Sequence, residues 1–141
     1  MLKDITMTPR SILIIDDDEQ TRDFLRRVLE EAGYMVIEAP NGREGLRQFR
    51  QTPTALVITD LLMPDMDGLE VTMALHRESP KAKIIAITGG SGKRDFLDTA
   101  KLLGAHRTIK KPITIEELLR AVQQELLEGS SHKGHGLQKE R

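Results

Sequence analysis

The sequence contains no cysteine. That absence removes disulfides, thiolate nucleophiles and cysteine-ligated zinc together, and it suits a reducing cytoplasm. Long hydrophobic runs are missing too. No apolar stretch approaches the roughly 20 residues of a membrane span, and the first residues lack the apolar core of a signal peptide. Nor does one sign of charge dominate. With 21 basic and 22 acidic residues the formal net charge is −1, so no global field would gather nucleic acid or an anionic membrane. The expected location is cytoplasmic, with no direct nucleic-acid or membrane partner. At 141 residues, 38% hydrophobic and 30% charged, the chain fits one domain that buries its own core without staples.

What is present is a set of short apolar runs: Ile12 to Ile15, Ala55 to Ile58 and Ile84 to Ile87. They are rich in Ile, Val and Leu and do not alternate with polar residues, the pattern of strands buried on both faces of a parallel sheet. Met35 to Ile37 and a weak run at Thr108 and Ile109 supply two more candidates. Helical patterns lie between them. Phe24, Leu25, Val28, Leu29 and Ala32 form one stripe, ended by Gly33. Asn41 with Glu44 opens a second helix, and Leu69 to Leu75 and Phe96 to Leu103 give two more. Thr114 with Glu117 opens the last, which carries Ile115, Leu118, Leu119, Val122 and Leu126. Five strand–helix units predict an α/β fold with helices on both faces of a parallel sheet and right-handed crossovers. Residues 1–9 read as a loose arm, 10–128 as the domain, and 129–141 as a disordered tail.

In such sheets chemistry gathers outside the carboxyl ends of the strands. The first strand ends in Asp16, Asp17 and Asp18, the third in Asp60, the fourth in Thr88 before Gly89 and Gly90, and the fifth in Lys111 before Pro112. Carboxylates brought close repel one another, and a hard divalent cation with oxygen ligands relieves the repulsion. Mg2+ suits the task, since it binds through one or two carboxylates and accepts phosphate oxygens. An aspartate beside such a cation can attack phosphorus and form an aspartyl phosphate. The Lys111 ammonium, the Thr88 hydroxyl and N–H groups near Gly89 could each stabilise the charge on the equatorial oxygens.

These segments, Ile12 to Glu19, Asp60 to Gly68, Ile87-Thr88 and Lys110-Lys111-Pro112, resemble a response-regulator receiver domain across Ser11 to Leu127. The resemblance implies a flavodoxin-like (βα)5 three-layer sandwich with strand order 2-1-3-4-5. It implies Asp60 as phosphoacceptor, Asp16 and Asp17 as acidic metal ligands, and the Leu62 backbone carbonyl as a further Mg2+ ligand. Thr88 becomes the switch hydroxyl and Lys111 the phosphate-contacting lysine, with a cis Lys111–Pro112 bond. A sensor histidine kinase or phosphotransfer protein would donate the phosphoryl group, and an unnamed downstream protein would read the result. The chain would then be a switch that catalyses only its own phosphotransfer and slow self-hydrolysis. Two positions depart from the family: Thr108 stands where an aromatic is frequent, and Ile113 where Phe is common.

Blander readings compete at several residues. Asp16 to Asp18 alone would be an acidic helix start favoured by the helix dipole. Lys110-Lys111 alone would be a solvated pair. Asp65 and Asp67 read as loop and helix-start residues, and His76, His106, His132 and His135 as surface residues. Gly89 to Arg94 imitates a Walker A loop, but Ile87 and Arg94 hold the positions that need Gly and Ser or Thr. A phosphatase would carry an acid two residues after its nucleophile, and here Leu62 stands there.

Overall fold

The computed structural model describes residues 10–61, 63, 68–89, 100–101 and 103–135, the stretch 128–135 by its backbone alone. Five parallel strands form a single sheet in the order β2-β1-β3-β4-β5. The elements run β1 (Ser11–Ile15), α1 (Glu19–Glu31), β2 (Met35–Ala39), α2 (Gly42–Gln51), β3 (Leu56–Asp60) and α3 (Gly68–Glu78). Then come β4 (Lys83–Thr88), β5 (Arg107–Lys110) and α4 (Ile115–His135). This is the parallel α/β sheet that the alternating pattern predicts, in the flavodoxin-like order that the resemblance implies. Of the expected helix from Phe96 to Leu103, Ala100, Lys101 and Leu103 are helical, and the rest lies outside the described residues.

The strands lack alternation because both sheet faces are covered. Leu13, Ile15, Val57 and Ile84 point to one side and pack with Leu46 and Phe49 of α2 and Val71 and Leu75 of α3. Ile12, Ile14, Ile58, Ile85 and Ile87 point to the other and pack with Leu25 and Leu29 of α1 and Leu118 and Val122 of α4. Burying a side chain of this size is worth about 1.5–3 kcal/mol, so the two faces together hold the strand ends rigidly. Gly45 lets α2 lie close on β1, because a Cβ there would lie on the Ile15 side chain, 2.7 Å from its Cγ1.

Helix ends follow the sequence signals. Asn41 caps α2 by accepting from the Glu44 N–H at 2.8 Å. The Thr114 hydroxyl accepts from the Glu117 N–H at 3.1 Å at the start of α4. Gly33 closes α1 in the left-handed region, φ 98°, where a residue with a Cβ is strained. One boundary differs. The tail expected from position 129 is helical up to His135, because α4 continues past Gly129. Gly129 and Gly134 each cost the helix only about 1 kcal/mol, and no proline follows to stop it. Residues 1–9 and 136–141 lie outside the described residues, and among those described no helix is long and apolar enough to cross a membrane.

His76 and His106 are exposed, as the sequence suggests. His106 nevertheless does a structural job, since its Nδ1 accepts a hydrogen bond from the Ile84 N–H at 3.2 Å. Only the neutral ring can accept there. Burial of that edge, with Lys83 and His76 nearby, holds the pKa below its ordinary 6.5 against the opposing pull of Glu125. The unfolded chain therefore takes up this proton first, so the stability is fully present above pH 6.5 and falls as the pH drops below it. Thermal melts between pH 7.5 and 5.5 should show a decline in wild type that is smaller in His106→Gln, whose amide oxygen can still accept. Parallel declines in the two proteins would rule the histidine out as the source.

Candidate phosphoacceptor and metal site

Register brings the chemistry together. Ile15 pairs with Ala39 on one side and Thr59 on the other, Asp60 pairs with Ile87, and Thr88 pairs with Lys110. The strands of the sheet centre thus end level, and the residues just beyond them share one rim. One carboxylate oxygen from each of Asp16, Asp17 and Asp60 lies within 4.8 Å of the others. Asp16 and Asp60 are buried, whereas Asp17 is exposed.

Asp16 is held tightly. Its N–H donates to the Ala39 carbonyl at 3.2 Å, and its Oδ1 accepts from the Asp18 N–H at 2.9 Å. Its Oδ2 is buried and accepts no hydrogen bond from the described residues; the Lys111 ammonium stands 3.9 Å away. Burial pushes the Asp16 pKa above the ordinary carboxylate value, the Asp18 N–H and Lys111 oppose that, and Asp17 and Asp18 add to it. A buried carboxylate oxygen without a donor is costly unless a cation or proton meets it. Three oxygen donors with one orphaned are a hard-cation donor set, so these residues fit a divalent metal.

The run of three aspartates divides. Asp18 caps α1, accepting from the Thr21 N–H at 3.1 Å and the Thr21 hydroxyl at 2.5 Å. The helix-start reading therefore holds for Asp18, while Asp16 and Asp17 join Asp60. Thr88 is buried at the end of β4. Its carbonyl accepts from the Lys111 N–H at 2.9 Å, which fixes the lysine backbone beside it. The Lys111–Pro112 peptide is cis. Thr108, in place of the frequent aromatic, is partly buried on β5. Leu62, Asp65, Asp67 and the segment from Gly90 to Thr99 lie outside the described residues.

Gly68 closes the motif that begins at Asp60, and its part becomes visible only in the fold. The Gly68 N–H donates to the Leu61 carbonyl at 2.9 Å. A Cβ at Gly68 would lie on the Asp60 carbonyl oxygen and 2.5 Å from the Leu61 Cα. The start of α3 is thus pressed against the backbone of the phosphoacceptor candidate, and no neighbouring side chain can yield to make room. An Asp-Gly at a helix start was the available signal, but it reads equally as a turn.

The sequence matches the response regulator receiver domain family over residues 12–123. It is 31% identical over 118 residues to the response regulator receiver protein CpdR of Brucella abortus, covering 84% of this chain and 98% of that one. The solved CheY-like receiver domain from Methanospirillum hungatei superposes with a TM-score of 0.83 at 31% identity, over 87% of this chain and 98% of the other. The response regulator TrrA of Thermotoga maritima, solved in complex with Mg2+–BeF, gives a TM-score of 0.75 at 34% identity, over 82% and 97% of the two chains. The chain belongs to the response regulator receiver family of two-component signalling, a family of phosphorylation-type switches.

Gly68→Ala should cost about 1–3 kcal/mol, the usual range for overpacking, even though alanine is the better helix former. Urea denaturation measures this as a lower midpoint at unchanged slope. A midpoint equal to or above wild type would mean that α3 can back away from Asp60 freely.

Proposed function

We propose that Asp60 accepts a phosphoryl group from a sensor histidine kinase or a phosphotransfer protein, with Mg2+ held by Asp16, Asp17, Asp60 and the Leu62 backbone carbonyl. The observation that carries this reading is the meeting of three carboxylates, one of which, Asp16, keeps a buried Oδ2 with no hydrogen-bond donor among the described residues. The Mg2+–BeF complex of the Thermotoga relative supports the same ligand chemistry here. When bound, the cation supplies positive charge against the carboxylates and the phosphoryl oxygens.

An Asp60 carboxylate oxygen forms the new bond to phosphorus while the phosphorus–nitrogen bond to the donor histidine breaks, its electron pair returning to the imidazole. Lys111 offers its ammonium to the phosphoryl oxygens, and Thr88 its hydroxyl. Lys111 is already close to the cluster, 3.9 Å from Asp16 Oδ2. The phosphoryl group, about −2 in charge, then biases a two-state equilibrium through Thr88, and a downstream protein reads the changed surface. With Thr108 small and β-branched, that change proceeds without an aromatic side chain swinging at this position. Leu62 offers no acid or base two residues beyond Asp60, so the chain acts as a switch and not as a hydrolase of other molecules. It works in the cytoplasm, without contacting nucleic acid or membrane itself.

Acetyl phosphate with Mg2+ should add one phosphoryl group to the wild-type protein and none to Asp60→Asn, as read by intact mass. Lys111→Ala should still bind Mg2+ in calorimetry, because an ammonium repels the cation, yet lose most of the phosphorylation. Labelling of Asp60→Asn at the wild-type level would overturn the assignment of the acceptor. A loss of Mg2+ affinity in Lys111→Ala as deep as in Asp17→Ala would overturn the division of roles.

A further inference from the structure

Asp16 has four polar groups, and three of them are spoken for within the fold. The N–H goes to Ala39 of β2 and Oδ1 to the Asp18 N–H. The carbonyl accepts from Arg22, whose Nη1 is 2.7 Å away. Only Oδ2 is left to face the cluster. Arg22 sits on the first turns of α1, one turn after the Asp18 cap, and its side chain is only 16% exposed. It is itself anchored. Its Nε donates to Glu38 Oε1 at 3.2 Å, and Arg26 Nε stands 2.7 Å from the other oxygen of Glu38. Glu38 precedes Ala39 on β2, so the edge strand grips Asp16 twice, directly at its N–H and through Arg22 at its carbonyl.

That carbonyl belongs to the peptide joining Asp16 to Asp17. A peptide is planar, so fixing its oxygen fixes the direction in which Asp17 leaves the strand. We infer that Arg22, braced by Glu38, is a positioning residue that sets the peptide plane between the two acidic ligands and so the spacing of their carboxylates. The inference rests on the reading that this pair holds a divalent cation. A guanidinium suits the task because its planar fork reaches the carbonyl and Glu38 together, whereas a lysine offers one nitrogen to two acceptors.

Coulomb's law makes the opposite forecast, which is what makes the idea testable. Removing a cation beside a cation site should tighten Mg2+ binding if charge alone matters. Positioning requires Arg22→Ala to weaken it, on the order of tenfold, as loss of a residue that orients a metal ligand commonly does. Arg22→Lys, which keeps the charge but not the fork, should weaken it as well and to a smaller extent. The measurement is a calorimetric Mg2+ titration of the wild type and both variants, with the melting transition of each recorded in the same buffer. Wild-type or tighter affinity in Arg22→Ala overturns the inference, as does full rescue by Arg22→Lys. A wild-type protein that takes up no Mg2+ would instead refute the proposed function beneath it.

Discussion

Like charges held close raise the free energy of a fold, and the sheet of this protein imposes that cost at its carboxyl rim. Asp16, Asp17 and Asp60 come within 4.8 Å of one another because β1 and β3 are neighbours that end level. In an extended chain Asp60 would be far from the other two. The repulsion is therefore a property of the native state, and the native state alone can relieve it by admitting a cation. Lys111 gives partial relief at 3.9 Å from Asp16, too long for a good hydrogen bond. The cluster thus holds three carboxylates against one neighbouring ammonium among the described residues.

Everything behind the rim serves to hold that arrangement against its own repulsion. Two apolar layers clamp the central strands, with α2 and α3 on one face and α1 and α4 on the other. The backbone then delivers the side chains. Asp18 caps α1 and gives its N–H to Asp16, Thr88 binds the Lys111 N–H, and Gly68 lets α3 start directly against Asp60. These ties fix the backbone at or beside each residue of the rim.

The sequence announced the buried strands clearly, because Ile12 to Ile15 and Ile84 to Ile87 carry their identity in composition alone. It announced the rim as well, since strand-end residues lie next to those runs in the chain. β5 was faint because only Ile109 of its four residues is fully buried. The end of α4 is hard to read because Gly129 and the serines after it look like a stop, while a glycine costs a helix only about 1 kcal/mol and a serine less. Arg22 and Glu38 could not be read at all, and Gly68 only as part of a motif or turn. Their parts depend on close approach and on pairing between β2 and α1, distances that no local pattern encodes.

The crowding of charge is tested most directly by four thermal melts at one ionic strength, wild type and Asp60→Asn, each with and without Mg2+. Without metal, Asp60→Asn should melt higher than wild type, because one of three repelling charges is gone. Mg2+ should raise the wild-type melting temperature, by an amount near 2.7 kcal/mol of stability at about 100 times the dissociation constant, and raise the variant less. An Asp60→Asn protein that melts below wild type in the absence of metal would contradict the account, for the three carboxylates would then not be opposing the fold.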